Sequence, residues 1–272
     1  MPSHPLRKNN VHVQGTGPRT MLFAHGLGTD QRAFAALAAS FLPTWRVVLM
    51  DHVAFGGSDP GAYRDARHAT LDGYARDVID VLDALQLDEV VYVGHSAGAL
   101  IGTVACVQSP ARFRRMVMIG MSPRFIDEPP GYVGGFDAVA IEGMLDLLER
   151  DQSAWASAMT PLAMGDHDTP QTQQEFGASL RALDPVFARK FARLVFTVDI
   201  RPLLPRVEVP VLAIQCTHDS IVPRAVGHYL QRTLPHCRLH EIEGTGHCPH
   251  LSHPTETLAA IAGHLHGAEL RH

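Results

Sequence analysis

Short apolar runs recur along the chain and alternate with stretches in which apolar residues repeat every three or four positions. The runs are apolar at successive positions, which is typical of parallel strands that helices cover on both faces. We predict six such strands, at "TMLFAHG" (20–26), "RVVLMD" (46–51), "EVVYVG" (89–94), "RRMVMIG" (114–120), "VPVLAIQ" (209–215) and "CRLHEIEG" (237–244). The helical periodicity between them predicts crossover helices, and therefore a doubly wound, mostly parallel α/β sheet.

The alternation of strands and helices is interrupted between about residues 124 and 205. This segment opens with the helix breakers "DEPPGYVGG" (127–135) and continues with four helical pieces and no strand, at 136–150, 152–165, 172–183 and 185–198. We therefore predict a core of residues 1–123 and 206–272 with a helical insertion at 124–205. An insertion between two strands of one sheet, at their carboxyl edge, is well placed to form a lid.

Composition narrows the class of protein. The 272 residues are 46% hydrophobic, which is enough for a substantial core without a structural metal or disulfide. The net charge of −5 and the absence of a basic run argue against a nucleic-acid surface. No segment approaches 18 uninterrupted apolar residues, and the four cysteines are scattered without a C-x-x-C pair. We therefore expect a cytoplasmic protein with reduced thiols and no membrane span.

The pentapeptide G-H-S-A-G lies within "VVYVGHSAGALIG" (90–102), where a predicted strand gives way to a helix. Two glycines weaken both a strand and a helix, so stability does not explain them. In the G-x-S-x-G nucleophile elbow, a sharp turn lifts the serine above the carboxyl edge of the sheet, and the glycines allow close chain approach. The strand before Ser96 and the helix after it supply the context of that motif. We predict that Ser96 is a catalytic nucleophile.

A serine nucleophile needs a base, and the base needs a group that holds its tautomer. In proteins with this elbow, an acid and then a histidine follow the serine along the chain. Asp219 follows the strand "VPVLAIQ" and His247 follows the last predicted strand, so both lie at the edge that carries Ser96. This position favours them over the competing acids and histidines, which are Asp127, Glu241, Glu243, His218, His250 and His253.

A run of histidines and a glycine-containing loop lie at the same edge. The spacing of His247, His250 and His253 fits one helical face, but Pro249 and Pro254 interrupt a helix there, so we expect no metal site. The loop "FAHGLGTD" (23–30) follows a strand at the position that donates the second N–H of an oxyanion hole. We predict that the N–H groups of Leu27 and Ala97 form that hole.

With these residues assembled, the chain resembles the RsbQ-type branch of the α/β hydrolases, named for a bacterial regulator of the general stress sigma factor. It is also similar to the plant karrikin and strigolactone receptors. The resemblance is carried by "HGLGTDQ" (25–31), "DHVAFGGSD" (51–59), "TLDGYARDVIDVLDAL" (70–85), "VGHSAGALIG" (93–102), "GGF" (134–136), "DPVFARKFA" (184–192) and "GHCPHLSHP" (246–254). It implies the triad Ser96, Asp219 and His247, a four-helix lid, and oxyanion donors at Leu27 and Ala97.

The resemblance also implies an apolar pocket between the lid and the serine. Its expected walls are Phe125, Phe136, Trp155, Met159, Val195 and Phe196, with lid-helix packing as the alternative role for each. Relatives usually carry phenylalanine in H-G-F-G, whereas this chain has Leu27, so the floor of the pocket should be roomier.

Two functions stay open at this point. One is a catabolic carboxylesterase or carbon–carbon bond hydrolase, which needs no cofactor and no protein partner. The other is a stress-signalling hydrolase that processes a small hydrophobic molecule and engages a partner, which in the RsbQ system is a PAS-domain phosphatase.

Overall fold

Seven strands form one sheet in a computed structural model, which describes residues 4–165 and 169–266. Their order across the sheet is β1-β3-β2-β4-β5-β6-β7. The bounds are β1 His12–Gln14, β2 Arg19–Ala24, β3 Trp45–Met50, β4 Val90–His95, β5 Phe113–Ile119, β6 Val211–His218 and β7 Cys237–Thr245. All neighbouring pairs are parallel except β1 with β3. The prediction of a mostly parallel α/β sheet is therefore confirmed.

Strand β1 is the one strand that the hydrophobic pattern did not predict. It spans three exposed residues at an outer edge of the sheet and pairs with β3 in antiparallel register, His12 opposite Leu49. Because its stability comes from this pairing rather than from burial, the local sequence carries no apolar run that would reveal it.

Helices cover both faces of the sheet. Their bounds are α1 Pro5–Lys8, α2 Ala35–Ala39, α3 Asp65–His68, α4 Leu71–Leu85, α5 Ala97–Gln108, α6 Ala138–Arg150, α7 Gln152–Met164, α8 Pro170–Ala182, α9 Pro185–Thr197, α10 Arg224–Thr233, α11 Pro249–Ser252 and α12 Pro254–His266. Successive residues of one strand enter opposite layers of the core. Leu22 packs in the layer of α4 and α5, whereas Met21 and Phe23 pack in the layer of α2 and α12. Because both faces of the sheet are buried, the strands carry apolar residues at successive positions and not only at every second one.

Four helices, α6 to α9, occupy the chain between β5 and β6. A side chain caps the amino end of each helix, from Asp137, Asp151, Thr169 and Asp184 respectively. Helices α8 and α9 also begin with proline, which fits the first turn because it lacks the N–H that would otherwise be unpaired there. We call these four helices the lid helices, and the division of the chain at residues 124 and 205 remains a prediction.

Candidate active site

Ser96 lies in the turn between β4 and α5 and adopts a backbone conformation that is rare for a residue with a side chain, φ 49° and ψ −115°. The two glycines beside it allow backbones to approach closely. A Cβ on Gly98 would lie 2.2 Å from the Ala24 carbonyl oxygen, and one on Gly94 would lie 2.6 Å from the Ala99 nitrogen. The backbone is therefore strained at the serine and packed too tightly for side chains around it, as the sequence of the elbow predicts.

Asp219 and His247 meet at the carboxyl edge of the sheet. Asp219 follows the end of β6, His247 follows β7, and His247 Nδ1–H donates to Asp219 Oδ2 at 2.8 Å. The other carboxylate oxygen accepts the backbone N–H groups of Ile221 at 2.8 Å and Val222 at 2.9 Å. This carboxylate fixes the imidazole with its proton on Nδ1, so Nε2 presents a lone pair. Among the described residues that Nε2 has no hydrogen-bond partner, although it is buried.

The N–H groups at the start of α5 are partly unpaired. The first N–H groups of a helix have no partner within it, and here the Ser96 carbonyl oxygen accepts from Ala99 at 2.9 Å and from Leu100 at 3.1 Å. Within the described chain no acceptor is found for the N–H of Ala97. This group lies directly after Ser96 at the positive end of the helix dipole, where it can bind a developing negative charge.

The loop that carries Leu27 is held by two buried histidines. His25 Nδ1–H donates to the Gly26 carbonyl oxygen at 2.8 Å, while His25 Nε2 accepts the His52 N–H at 3.1 Å. In return, His52 Nε2–H donates to the His25 carbonyl oxygen at 3.0 Å. Burial lowers the pKa of His25 and lowers that of His52 well below its usual value, so both rings are neutral at pH 7. The role of His52 in this loop was not foreseen from the sequence.

The competing acids are engaged elsewhere. Asp127 accepts the N–H groups of Gly134 at 2.7 Å and Gly135 at 2.9 Å, and so closes a turn before α6. Glu241 pairs with Arg224 through two contacts of 2.7 and 2.9 Å, and the side chain of Glu243 is exposed.

The competing histidines also differ from His247. His218 is exposed, and His253 Nδ1 contacts Ser252 Oγ at 2.8 Å. His250 is buried, stacked on Phe34 with ring centroids 4.9 Å apart, and lies 4.4 Å from the ring of His95. Its packing in the core explains its burial without a metal, and residues 4–165 and 169–266 contain no group of three or more His, Cys, Asp or Glu that could hold a metal ion.

Ser96 and His247 line one narrow, largely apolar cavity with a free volume of about 30 Å³, between the sheet edge and the lid helices. Five of the six residues expected in its walls line it: Phe125, Trp155, Met159, Val195 and Phe196. Leu27 lines it as well, which agrees with its expected place beside the serine. Of the charged residue types Asp, Glu, Lys and Arg, none lines the cavity in the described part of the chain.

The expected contribution of Phe136 to the cavity was wrong. Its backbone runs beside residues 125–127, since its N–H donates to the Phe125 carbonyl oxygen at 3.2 Å and its own carbonyl oxygen accepts the Asp127 N–H at 2.7 Å. This pairing places Phe136 in the turn region before α6, half-buried and outside the cavity lining.

Further residues line the cavity that sequence reasoning missed, namely His95, Ala163, Phe176, Leu180, Ile221 and Cys248. Phe176 and Leu180 are four residues apart on α8, and this spacing was a usable signal that both face one way. The others depend on how distant segments meet. Trp155 lines the cavity, and its buried indole N–H has no hydrogen-bond partner within the described residues.

Known proteins resemble this chain over most of its length. The model of the alpha/beta hydrolase fold family matches residues 19–254. The chain is 34% identical to "Karrikin insensitive 2 receptor CA" of Petunia hybrida over 95% of this chain and 96% of that protein. It is 37% identical to "Strigolactone esterase D14" of Arabidopsis thaliana over 92% and 94% of the two chains. A solved hydrolase from Oleispira antarctica superimposes with a TM-score of 0.93 at 32% identity, covering 96% of both chains. No helix within the described ranges is long and apolar enough to cross a membrane.

Proposed function

The chain belongs to the α/β-hydrolase family and is an esterase-like hydrolase, and from this premise we propose that it cleaves an ester-like bond of a small hydrophobic molecule through Ser96, His247 and Asp219. One observation carries the proposal. The bond from His247 Nδ1–H to Asp219 leaves Nε2 as a buried, unpartnered acceptor in the cavity that Ser96 also lines. A base of this kind can take the proton of a serine hydroxyl.

The proposed reaction has two steps. Nε2 of His247 takes the Ser96 Oγ proton as Oγ attacks the carbonyl carbon, and the carbonyl oxygen becomes negative. The N–H groups of Leu27 and Ala97 hold that oxygen. As the intermediate collapses, the imidazolium gives its proton to the departing alcohol, and an acyl group stays on Ser96. Water, deprotonated by His247, then releases the acid and restores the serine.

The lining of the cavity supports a small, uncharged substrate. Apolar and aromatic side chains surround the serine, and a free carboxylate or ammonium group would have no opposite charge in the described lining. The free volume of about 30 Å³ is small, which favours a small group beside Ser96. The Trp155 indole N–H offers one donor to a polar atom of the substrate.

A second candidate is signalling, in which hydrolysis of the small molecule is coupled to binding of a PAS-domain phosphatase, as in the RsbQ system. It is favoured by the name of one relative, which is described as a receptor, while another is described as an esterase. The alternative is a catabolic carboxylesterase or carbon–carbon bond hydrolase without a partner. Ligand-dependent binding to such a phosphatase would support signalling, whereas turnover unaffected by any partner would support catabolism.

The experiment for the shared chemistry is a screen of p-nitrophenyl esters with intact-mass detection of the acyl-enzyme. We expect a mass increase equal to the acyl group, mapped by proteolysis to Ser96, and hydrolysis that Ser96→Ala lowers by about 10⁶-fold. The matched control is Ser122→Ala, at a buried serine that donates to the Arg124 carbonyl oxygen and does not line the cavity. Undiminished hydrolysis by Ser96→Ala would refute the proposal.

A further inference from the structure

The backbone of His247 is held from two sides. On the side of the sheet, its carbonyl oxygen accepts a hydrogen bond from His95 Nε2–H at 3.1 Å. On the side of the lid helices, its N–H donates to the carbonyl oxygen of Ala163 at 2.6 Å. Ala163 is the second-last residue of α7, so a lid helix is bonded directly to the residue that carries the proposed base.

The end of α7 is suited to this contact. The last carbonyl groups of a helix have no partner within it and need an outside donor. The Pro161 carbonyl oxygen is satisfied by the Gly165 N–H at 3.0 Å, and that of Ala163 by His247. The loop before His247 is anchored in turn, since the Gly246 N–H donates to the His218 carbonyl oxygen at 3.1 Å.

Two glycines meet where α7 packs on the histidine loop. Gly165 has φ +74° and Gly246 has φ +95°, conformations that favour glycine. A Cβ on Gly246 would lie 2.4 Å from the Met164 carbonyl oxygen, and a Cβ on Gly165 would lie 2.5 Å from Thr245 Oγ1 and 2.8 Å from the Gly246 nitrogen. Any side chain at either position would therefore push the helix end and the loop apart, and would strain the Ala163–His247 bond.

We propose that the carboxyl end of α7 is a positioning element for His247, so that the place of this lid helix sets the distance between Nε2 and Ser96. The inference rests on the proposed function of Ser96 and His247. The same helix lines the cavity with Trp155 and Met159, and eight residues of helix, about 12 Å, separate Trp155 from Ala163. Trp155 and Ala163 belong to the same helix, so a substrate that displaces the whole of α7 also displaces the support of the base.

The test is Gly165→Ala, because this position is remote from His247 in sequence and reaches it only through the contact. We expect kcat to fall by about 10²-fold, since a shift of about 1 Å in a reacting group costs that much. KM changes as well to the extent that Trp155 and Met159 move with α7. The matched control is Gly15→Ala, at φ +72° with a Cβ 2.3 Å from the Trp45 carbonyl oxygen, far from the site. It should lower the melting temperature comparably and leave kcat unchanged.

Several results would overturn the proposal. A Gly165→Ala protein with unchanged kcat would do so, and so would one that loses activity only through KM. Gly246→Ala should reproduce the kcat loss. If Gly246→Ala lowers kcat and Gly165→Ala does not, the cause is strain beside His247 and not the position of α7.

If Gly165→Ala fails to fold, Gln173→Ala is the second variant. It removes only the bond from Gln173 Nε2–H to the Gly165 carbonyl oxygen, at 3.1 Å, and should lower kcat less. An unchanged kcat there would again refute it. Wild-type hydrolysis by Ser96→Ala would instead refute the proposed function itself.

Discussion

The carboxyl edge of the sheet and the lid helices form opposite walls of one cavity, yet they differ in the types of residue they contain. The edge is rich in buried histidines, namely His25, His52, His95, His247 and His250. Their rings are fixed by bonds to backbone groups, by ring stacking or, for His247, by the Asp219 carboxylate. The lid helices α6 to α9 contain no histidine, and they contribute Trp155, Met159, Phe176, Leu180, Val195 and the adjacent Phe196 to the cavity.

This difference separates two tasks. At the edge, strand ends place polar groups to within hydrogen-bonding distance, as in the 2.8 Å contact of His247 with Asp219. In the lid, apolar side chains give the cavity its shape and its preference for uncharged groups, which depend on volume more than on the direction of a bond. Changes at the edge should therefore affect the rate for every substrate, whereas changes in the shape of the cavity should discriminate between substrates.

Apart from the loss of Ser96 itself, the largest effect is expected for Asp219→Asn. The amide oxygen stays bonded to the Ile221 and Val222 N–H groups, so the amide NH2 faces His247 Nδ1 and the imidazole takes the wrong tautomer. Hydrolysis of all p-nitrophenyl esters should fall by about 10⁴-fold in kcat. Steady-state kinetics over several acyl lengths measures this.

Asp127→Asn is the matched control for that substitution. Like Asp219, Asp127 accepts two backbone N–H groups, from Gly134 and Gly135, but it has no contact with His247. It should leave kcat near the parent value. If both variants lost activity equally, the orienting role of Asp219 would be wrong.

The residues proposed for catalysis at the carboxyl edge could be predicted from the sequence, because short motifs and the ends of predicted strands mark them. G-x-S-x-G reports a strand followed by a tight turn and a helix, and the order of strands places Asp219 and His247 at the same edge as Ser96. The cavity walls were predictable only in part. Phe136 was assigned wrongly because its backbone pairs with residues 125–127, a contact that apolar periodicity does not reveal.

The contacts missed from the sequence are long-range. Cys248, Ile221 and Ala163 line the cavity because three distant segments converge there, and no spacing within one segment encodes that convergence. The bond from the His247 N–H to the Ala163 carbonyl oxygen is a contact between backbones, so no residue type signals it. The only indication of this contact in the sequence is the pair of glycines at positions 165 and 246.

A second difference between the walls is their expected response to acid. Burial lowers the pKa of His250 to about 3, so the ring stays neutral in the folded protein, whereas the unfolded chain binds a proton below about pH 6.5. The stabilising effect of this group is complete above pH 6.5 and is lost as the pH falls towards 3. At pH 5 the loss is roughly 2 kcal/mol. His250→Phe should therefore lose less free energy of unfolding between pH 7.5 and pH 5 than the parent, by roughly that amount.

Urea denaturation at the two pH values measures this difference. His12→Phe, at an exposed position of β1, is the matched control for the loss of a histidine ring. If His250→Phe were as sensitive to acid as the parent, another buried group, such as His95 or His52, would carry the effect. His250 would then not be the responsible residue.

The smallest effect is expected at Leu27, where the edge itself shapes the cavity. The proposed role of its amide is to hold the oxyanion, while its side chain occupies the floor beside Ser96. Leu27→Phe keeps the amide and adds volume, so acetyl esters should retain near-parent kcat/KM. Longer acyl esters should lose about tenfold, because a narrow cavity tolerates extra side-chain volume poorly. Leu27→Met conserves volume and should leave the whole acyl-length series within about twofold of the parent.

An equal loss for acetyl and long acyl groups in Leu27→Phe would mean that the side chain also supports the oxyanion hole. Position 27 would then belong wholly to the catalytic task of the edge, and the shape of the cavity would be set by the lid helices alone.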